Sequence, residues 1–167
     1  VLGCQITGMD LHGIDVDMGE AADTYVFRDN TLIGIVDEAI MMNIDLGPVN
    51  IEVVNNEVNS ITEDAILMAI TAGATVLIED NFGTGTDNFI DVDFGGPANQ
   101  QGNVTMLNNL HLNNPGTNDS YRVDRSSGSQ PVCATLLGND KVVTTDGILI
   151  DSNANPLFVF DLPNLSA

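Results

Sequence analysis

Hydrophobic residues two apart, in short runs of four to six, recur along the whole chain, and each run ends at a polar corner. The apolar pairs before the corner are Tyr25 and Phe27, Ile51 and Val53, Val76 and Ile78, Val104 and Met106, and Ala134 and Leu136. The corner residues are Cys4, Asn30, Asn56, Asn81, Asn109 and Asn139, at spacings of 26, 26, 25, 28 and 30. Nine to twelve residues beyond each corner comes a second alternating run. Its inward pairs are Ile14 and Val16, Ile40 and Met42, Ile66 and Met68, Ile90 and Val92, Tyr121 and Val123, and Ile148 and Ile150. A period of two with Asn, Asp and Gly at the breaks predicts strands and turns rather than helices.

A unit of about 26 residues with two or three short strands cannot bury its apolar side alone. It must coil so that each strand pairs with its counterpart one turn later. At about 4.8 Å per strand, six turns make a column about 29 Å tall. The corner asparagines then lie one above another, where their amides can bond along the stack. Asn also tolerates left-handed backbone, which suits a corner. Cys4 interrupts this ladder in the first turn.

This pattern resembles the right-handed parallel β-helix proteins, the fold of pectate-lyase-like enzymes, phage tailspikes and many secreted bacterial surface proteins. The expected fold is therefore an all-β, right-handed parallel β-helix of about six turns. Residues 1–167 form a single domain in this reading, cut from a longer protein, because the chain opens in mid-pattern at Val1. The segment from Val132 to Ile148 and the ending around Leu162-Pro163-Asn164 resemble repeat ends in large secreted proteins of this kind. That resemblance implies an extracellular or cell-surface location.

Composition agrees with a packed aliphatic column: 43% of residues are hydrophobic, only 5% aromatic, and tryptophan is absent. The charge narrows the partners. Four Lys and Arg stand against 24 Asp and Glu, a formal net charge of −20. Such a surface repels nucleic acid and anionic membranes, whose binding needs basic residues, and it attracts cations. No apolar run is long enough to insert in a membrane. Cys4 and Cys133 sit in opposite ends of the column and are not expected to pair.

The candidate chemistry lies on the outward positions of the second run. One column reads Asp17, Asn43, Ala69, Asp93, Asp124 and Asp151. Stacked aspartates repel unless a cation intervenes, so Asp93, Asp124 and Asp151, with Asp17, are the candidate calcium ligands. The neighbouring column reads Asp15, Met41, Leu67, Asp91, Arg122 and Leu149, which places two apolar residues where water is expected. The pairs Asp15 with Asp17 and Asp91 with Asp93 are candidate glycosidase carboxylates. His12 lacks an accompanying Asp run, and His111 is read as an ordinary surface residue beside a corner. The lyases that the fold resemblance brings to mind use Lys or Arg beside a calcium-bound uronate. Here Arg28 and the pair Arg122 and Arg125 are about three turns apart, too far for joint action.

Two functions follow. The first is a structural or adhesive module of a secreted or cell-surface bacterial protein, self-associating by stacking or edge contacts into a filament, or binding a surface ligand such as carbohydrate. The alternative is a carbohydrate-active enzyme, a polysaccharide lyase or glycosidase, built on this scaffold. Glycine- and asparagine-rich stretches at Gly95–Gly102, Asn113–Asp119 and Arg125–Gln130 are the expected binding loops.

Overall fold

The computed structural model describes residues 1–18, 24–59, 61–84, 88–96, 100–112, 120–125, 132–141, 148–150 and 159–160. These form a parallel β-helix of three sheets, each six strands high. The pre-corner sheet stacks Thr24–Arg28, Val49–Val54, Ala74–Glu79, Gly102–Leu107, Val132–Leu137 and Val159–Phe160. A short sheet, made directly after the corner, stacks Gln5–Thr7, Thr31–Ile33, Glu57–Asn59, Phe82–Thr84, Leu110–His111 and Asp140–Lys141. The far sheet stacks Ile14–Met18, Ile40–Ile44, Ile66–Ile70, Ile90–Phe94, Tyr121–Arg125 and Ile148–Ile150.

The strand register follows the alignment of the repeats. Tyr25 pairs with Ile51, Ile51 with Val76, Val76 with Val104 and Val104 with Ala134. On the far sheet Ile14 pairs with Ile40, Ile40 with Ile66, Ile66 with Ile90 and Ile90 with Tyr121. Four coils between Thr24 and Arg125 have all three strands with their side chains described, fewer than the six expected. Partial coils extend the sheets at both ends. The first is tied on by a bridge between Leu2 and Arg28.

The asparagine ladder is continuous and buried. Asn30, Asn56, Asn81 and Asn109 each donate from Nδ2 to the Oδ1 of the next asparagine, at 2.8, 2.9, 3.0 and 2.8 Å. The same Oδ1 also accepts the backbone N–H of the residue one coil before it, as between Asn56 and Asn81 at 3.0 Å. The second Nδ2 hydrogen reaches back across the coil, from Asn81 to the Val53 carbonyl at 2.8 Å and from Asn109 to that of Ile78 at 2.9 Å. One side chain thus satisfies groups in three coils. Removing it strands several buried polar groups, each costing about 1–3 kcal/mol. Cys4 keeps its part of the ladder only through its backbone, whose N–H donates to Asn30 Oδ1 at 3.0 Å. Both cysteines are free.

The left-handed backbone sits one residue earlier than the sequence reading places it. Asp29, Asn55, Asp80 and Asn108 have φ of 58°, 54°, 53° and 51°, and Gly3 and Gly138 hold the same place at 61° and 66°. The ladder asparagines are kept for their amides, whereas their predecessors are Asp, Asn or Gly because those residues accept positive φ.

A second correction concerns the interior between the short and far sheets. Two positions share this space in each coil, one large and one small. They are Leu32 with Ala39, then Val58 with Ala65, all buried. In the next coil the sizes exchange, to Gly83 with Phe89. A Cβ added to Gly83 would lie 2.2 Å from the Phe89 ring. One coil on, the pair is His111 with Ser120, both fully buried, with His111 Nδ1 2.9 Å from Ser120 Oγ. His111 is a core residue, not a surface one. It stacks on Phe89 at 5.2 Å between ring centroids, and Tyr121 meets the same ring edge-on. The Tyr121 hydroxyl lies 2.8 and 2.6 Å from the carbonyl oxygens of Asn109 and Asp140, which share its one hydrogen, and burial pushes its pKa up.

This exchange is testable. Gly83→Leu should destabilise the protein by about 1–3 kcal/mol through overpacking. Adding Phe89→Ala, which recreates the Leu32 and Ala39 arrangement, should recover part of that loss. Urea unfolding of the two single variants and the double variant measures the coupling. Additive losses would show that the two positions do not share one volume.

Candidate functional site on the far sheet

The outward side chains of the far sheet fall into the two columns that the repeats lay out. Asp15, Met41, Leu67, Asp91 and Arg122 are successive register partners, as are Asp17, Asn43, Ala69, Asp93 and Asp124. Met41 and Leu67 are half-buried. Parallel pairing brings Asp91 beside Arg122 and Asp93 beside Asp124. Asp17 lies on the edge strand, three strands from Asp93 and about 14 Å along the axis. It therefore cannot share an ion with Asp93. Asp151 lies outside the described residues, as do 97–99, 113–119 and 126–130 of the expected binding loops.

In the fourth and fifth coils the columns close into one charged cluster. Arg122 donates from one terminal nitrogen to Asp91 Oδ2 and from the other to Asp124 Oδ2, both at 2.8 Å. Asp124 Oδ1 accepts the backbone N–H of Arg125. Asp91 is only 4% exposed although it points outward, and its Oδ1 has no hydrogen-bond partner. Burial pushes its carboxyl up to about 6, against the opposing pull of Arg122. Burial also raises Asp93, helped by the charge of Asp124, and its Oδ1 too is buried without a partner. One guanidinium thus serves three carboxylates, two of them shifted toward the neutral form. A calcium ion between Asp93 and Asp124 would have to compete with Arg122 for the second of these.

A third polar column runs along the corner before the far sheet, where sequence reading places no site. The N–H of Gly13 donates to the Glu38 carbonyl, that of Ala39 to Asp64 and that of Ala65 to Asn88. These bonds put His12, Glu38, Asp64 and Asn88 in successive coils. Asn88 Nδ2 donates to Asp64 Oδ1 at 2.7 Å, and His12 Nδ1 lies 2.8 Å from Glu38 Oε2. Burial raises the Asp64 carboxyl, with Glu38 and Glu63 adding to the rise. The signal was present in the sequence, since these residues stand two places before the aligned Ile14, Ile40, Ile66 and Ile90. Arg28 belongs to another sheet and pairs with Glu52 at 3.2 Å.

Asp91 makes stability depend on pH. Its folded-state pKa lies above the ordinary value of 3.8, so between about 4 and 6 the folded protein holds more protons than the unfolded chain. Stability from this group is greatest at low pH and falls as pH rises through about 6. Asp91→Asn removes the titrating group. It should therefore gain stability relative to the parent between pH 4.5 and 7, by up to about 2 kcal/mol. Chemical unfolding of both proteins at the two pH values checks this; parallel pH profiles would refute the assignment. Comparison with models of known protein families, with curated proteins and with solved structures finds no match.

Proposed function

We propose that the chain is a structural or adhesive β-solenoid module of a secreted or cell-surface protein, joining further coils of the same kind through its first-coil end. The observation that carries this reading is the make-up of that end. Gln5–Thr7 and Ile14–Met18 are the edge strands of their sheets, and Thr24–Arg28 ends the third, with its Val26–Arg28 half already paired with Val1–Gly3. Val1, Leu2, Met9 and Leu11 are exposed there, at 49%, 66%, 44% and 64%. Edge strands offer unpaired main-chain groups to any strand that adds in register, and an apolar rim favours a dry contact. The acidic, lysine-poor surface fits an extracellular setting and keeps the sides of the column from clumping. Among the described residues no helix is long and apolar enough to cross a membrane.

Sedimentation across a wide concentration range tests this. The protein should associate as concentration rises, and Leu2→Lys with Leu11→Lys should keep it monomeric without lowering its melting temperature. A parent protein that stays monomeric at the highest concentration would exclude end-to-end stacking.

One observation favours a second reading, a glycosidase on this scaffold. Asp91 is buried and raised to about 6 beside Asp93 and Asp124, and acid–base hydrolysis needs carboxyls held in unlike protonation states. Neutral polysaccharides suit the acidic surface better than acidic ones. The reading expects reducing ends to be released from such a polymer and the release to stop in Asp91→Asn. Equal release by both proteins would remove it.

A further inference from the structure

The corner column carries a group of possible ligand side chains separate from the Arg122 cluster. His12 comes from the first coil, Asp37 and Glu38 from the second, and one ligand atom of each lies within 4.8 Å of the other two. The backbone around them is fixed from both sides. Val36 N–H donates to the Met9 carbonyl at 3.0 Å, Gly13 N–H to the Glu38 carbonyl at 3.1 Å, and the Thr62 hydroxyl to the Val36 carbonyl.

His12 Nδ1 is the informative atom. It is shielded from solvent and makes no hydrogen bond, although Glu38 Oε2 is only 2.8 Å away. A simple imidazole–carboxylate pair would align the N–H on the oxygen. Two ligands on neighbouring vertices of an ion instead aim at a common centre rather than at each other. With metal–ligand distances of about 2.0–2.1 Å, neighbouring ligands are about 3.3 Å apart in a tetrahedral site and about 2.9 Å apart along an octahedral edge. The observed separation of 2.8 Å is close to that edge. Asp64, one coil further along the column, adds negative charge without a basic partner of its own in the column. Arg28 and Arg122 are engaged with Glu52 and with Asp91 and Asp124.

The geometry points to a divalent transition-metal site formed by His12 Nδ1 and the carboxylates of Asp37 and Glu38. An imidazole with two carboxylates suits zinc or a similar first-row ion better than calcium, which takes oxygen alone. Three protein ligands leave coordination positions open to water or to a donor group on a partner. Because the ligands span two coils, the ion would pin the first coil to the second.

Calorimetric titration with zinc, and the visible absorption of the cobalt(II) form, test the site. The parent protein should bind one equivalent of zinc and give a cobalt spectrum showing nitrogen and oxygen ligation. His12→Ala and Glu38→Gln should each bind at least about tenfold more weakly, with unchanged circular dichroism and melting in the presence of a chelator. Asp124→Asn and Cys4→Ser should bind as the parent does. Zinc should also slow amide exchange in Ile14–Met18, which calcium at equal concentration should not do. Zinc bound equally by His12→Ala would overturn the site, as would loss of binding in Cys4→Ser or a parent that binds no zinc.

Discussion

The column rests on one constraint: every coil must return to the same phase before it can pair with the one before it. Strand hydrogen bonds alone do not impose this, since a strand can slip by one residue and still form a ladder. Slippage would turn Ile51 and Val53 outward and Glu52 inward. The buried asparagine prevents it, because its amide is satisfied only when the next amide stands directly beyond it. The hydrophobic core supplies most of the favourable free energy, being non-directional and proportional to area, while the ladder selects which arrangement receives it. The left-handed residue preceding each asparagine turns the chain so that the amide points inward.

Outside the core the same stacking has an electrostatic consequence. Any acidic residue at a given place in the repeat is brought to within about 5 Å of its counterparts. Evenly spread acids would therefore form repelling rows. The far sheet interrupts its rows with Met41 and Leu67 in one column and Asn43 and Ala69 in the other. Where Asp93 and Asp124 do stack, Arg122 binds the second of them together with Asp91. The corner column combines His12 with Glu38 and Asn88 with Asp64. The two places where candidate chemistry gathers are those where neutralisation is incomplete.

Much of this was legible in the sequence, and the failures have physical causes. The two long sheets were readable because each strand contributes two or three inward residues, which gives alternation something to repeat. The short sheet was not, since each of its strands turns only one position inward: Leu32, Val58, Gly83 or His111. A single position has no period. His111 looked like a surface residue because its partner, Ser120, lies nine residues on, just before the strand Tyr121–Arg125, and its packing depends on the large and small positions having exchanged at Gly83 and Phe89. From Asp15 to Arg122 and from Asp17 to Asp124 the outward positions keep the register that alignment lays out. What alignment could not supply was the burial of Asp91, or the aim of His12 Nδ1, since both depend on side-chain direction. The position of the left-handed residue was off by one for a related reason. Two adjacent polar residues at a corner look alike until one is seen to bond and the other to bend.

Coil length along the chain is uneven, with 25 residues in one interval and 30 in another. In a sheet built by one continuous count, such differences would accumulate as a growing error. Here each asparagine sets the count back to zero, so a coil that gains residues passes none of its irregularity to the next. The ladder therefore does for the chain what a clock signal does for a serial message. It lets the loops drift in length and content, the parts free to acquire new contacts, while the column that carries them stays in phase.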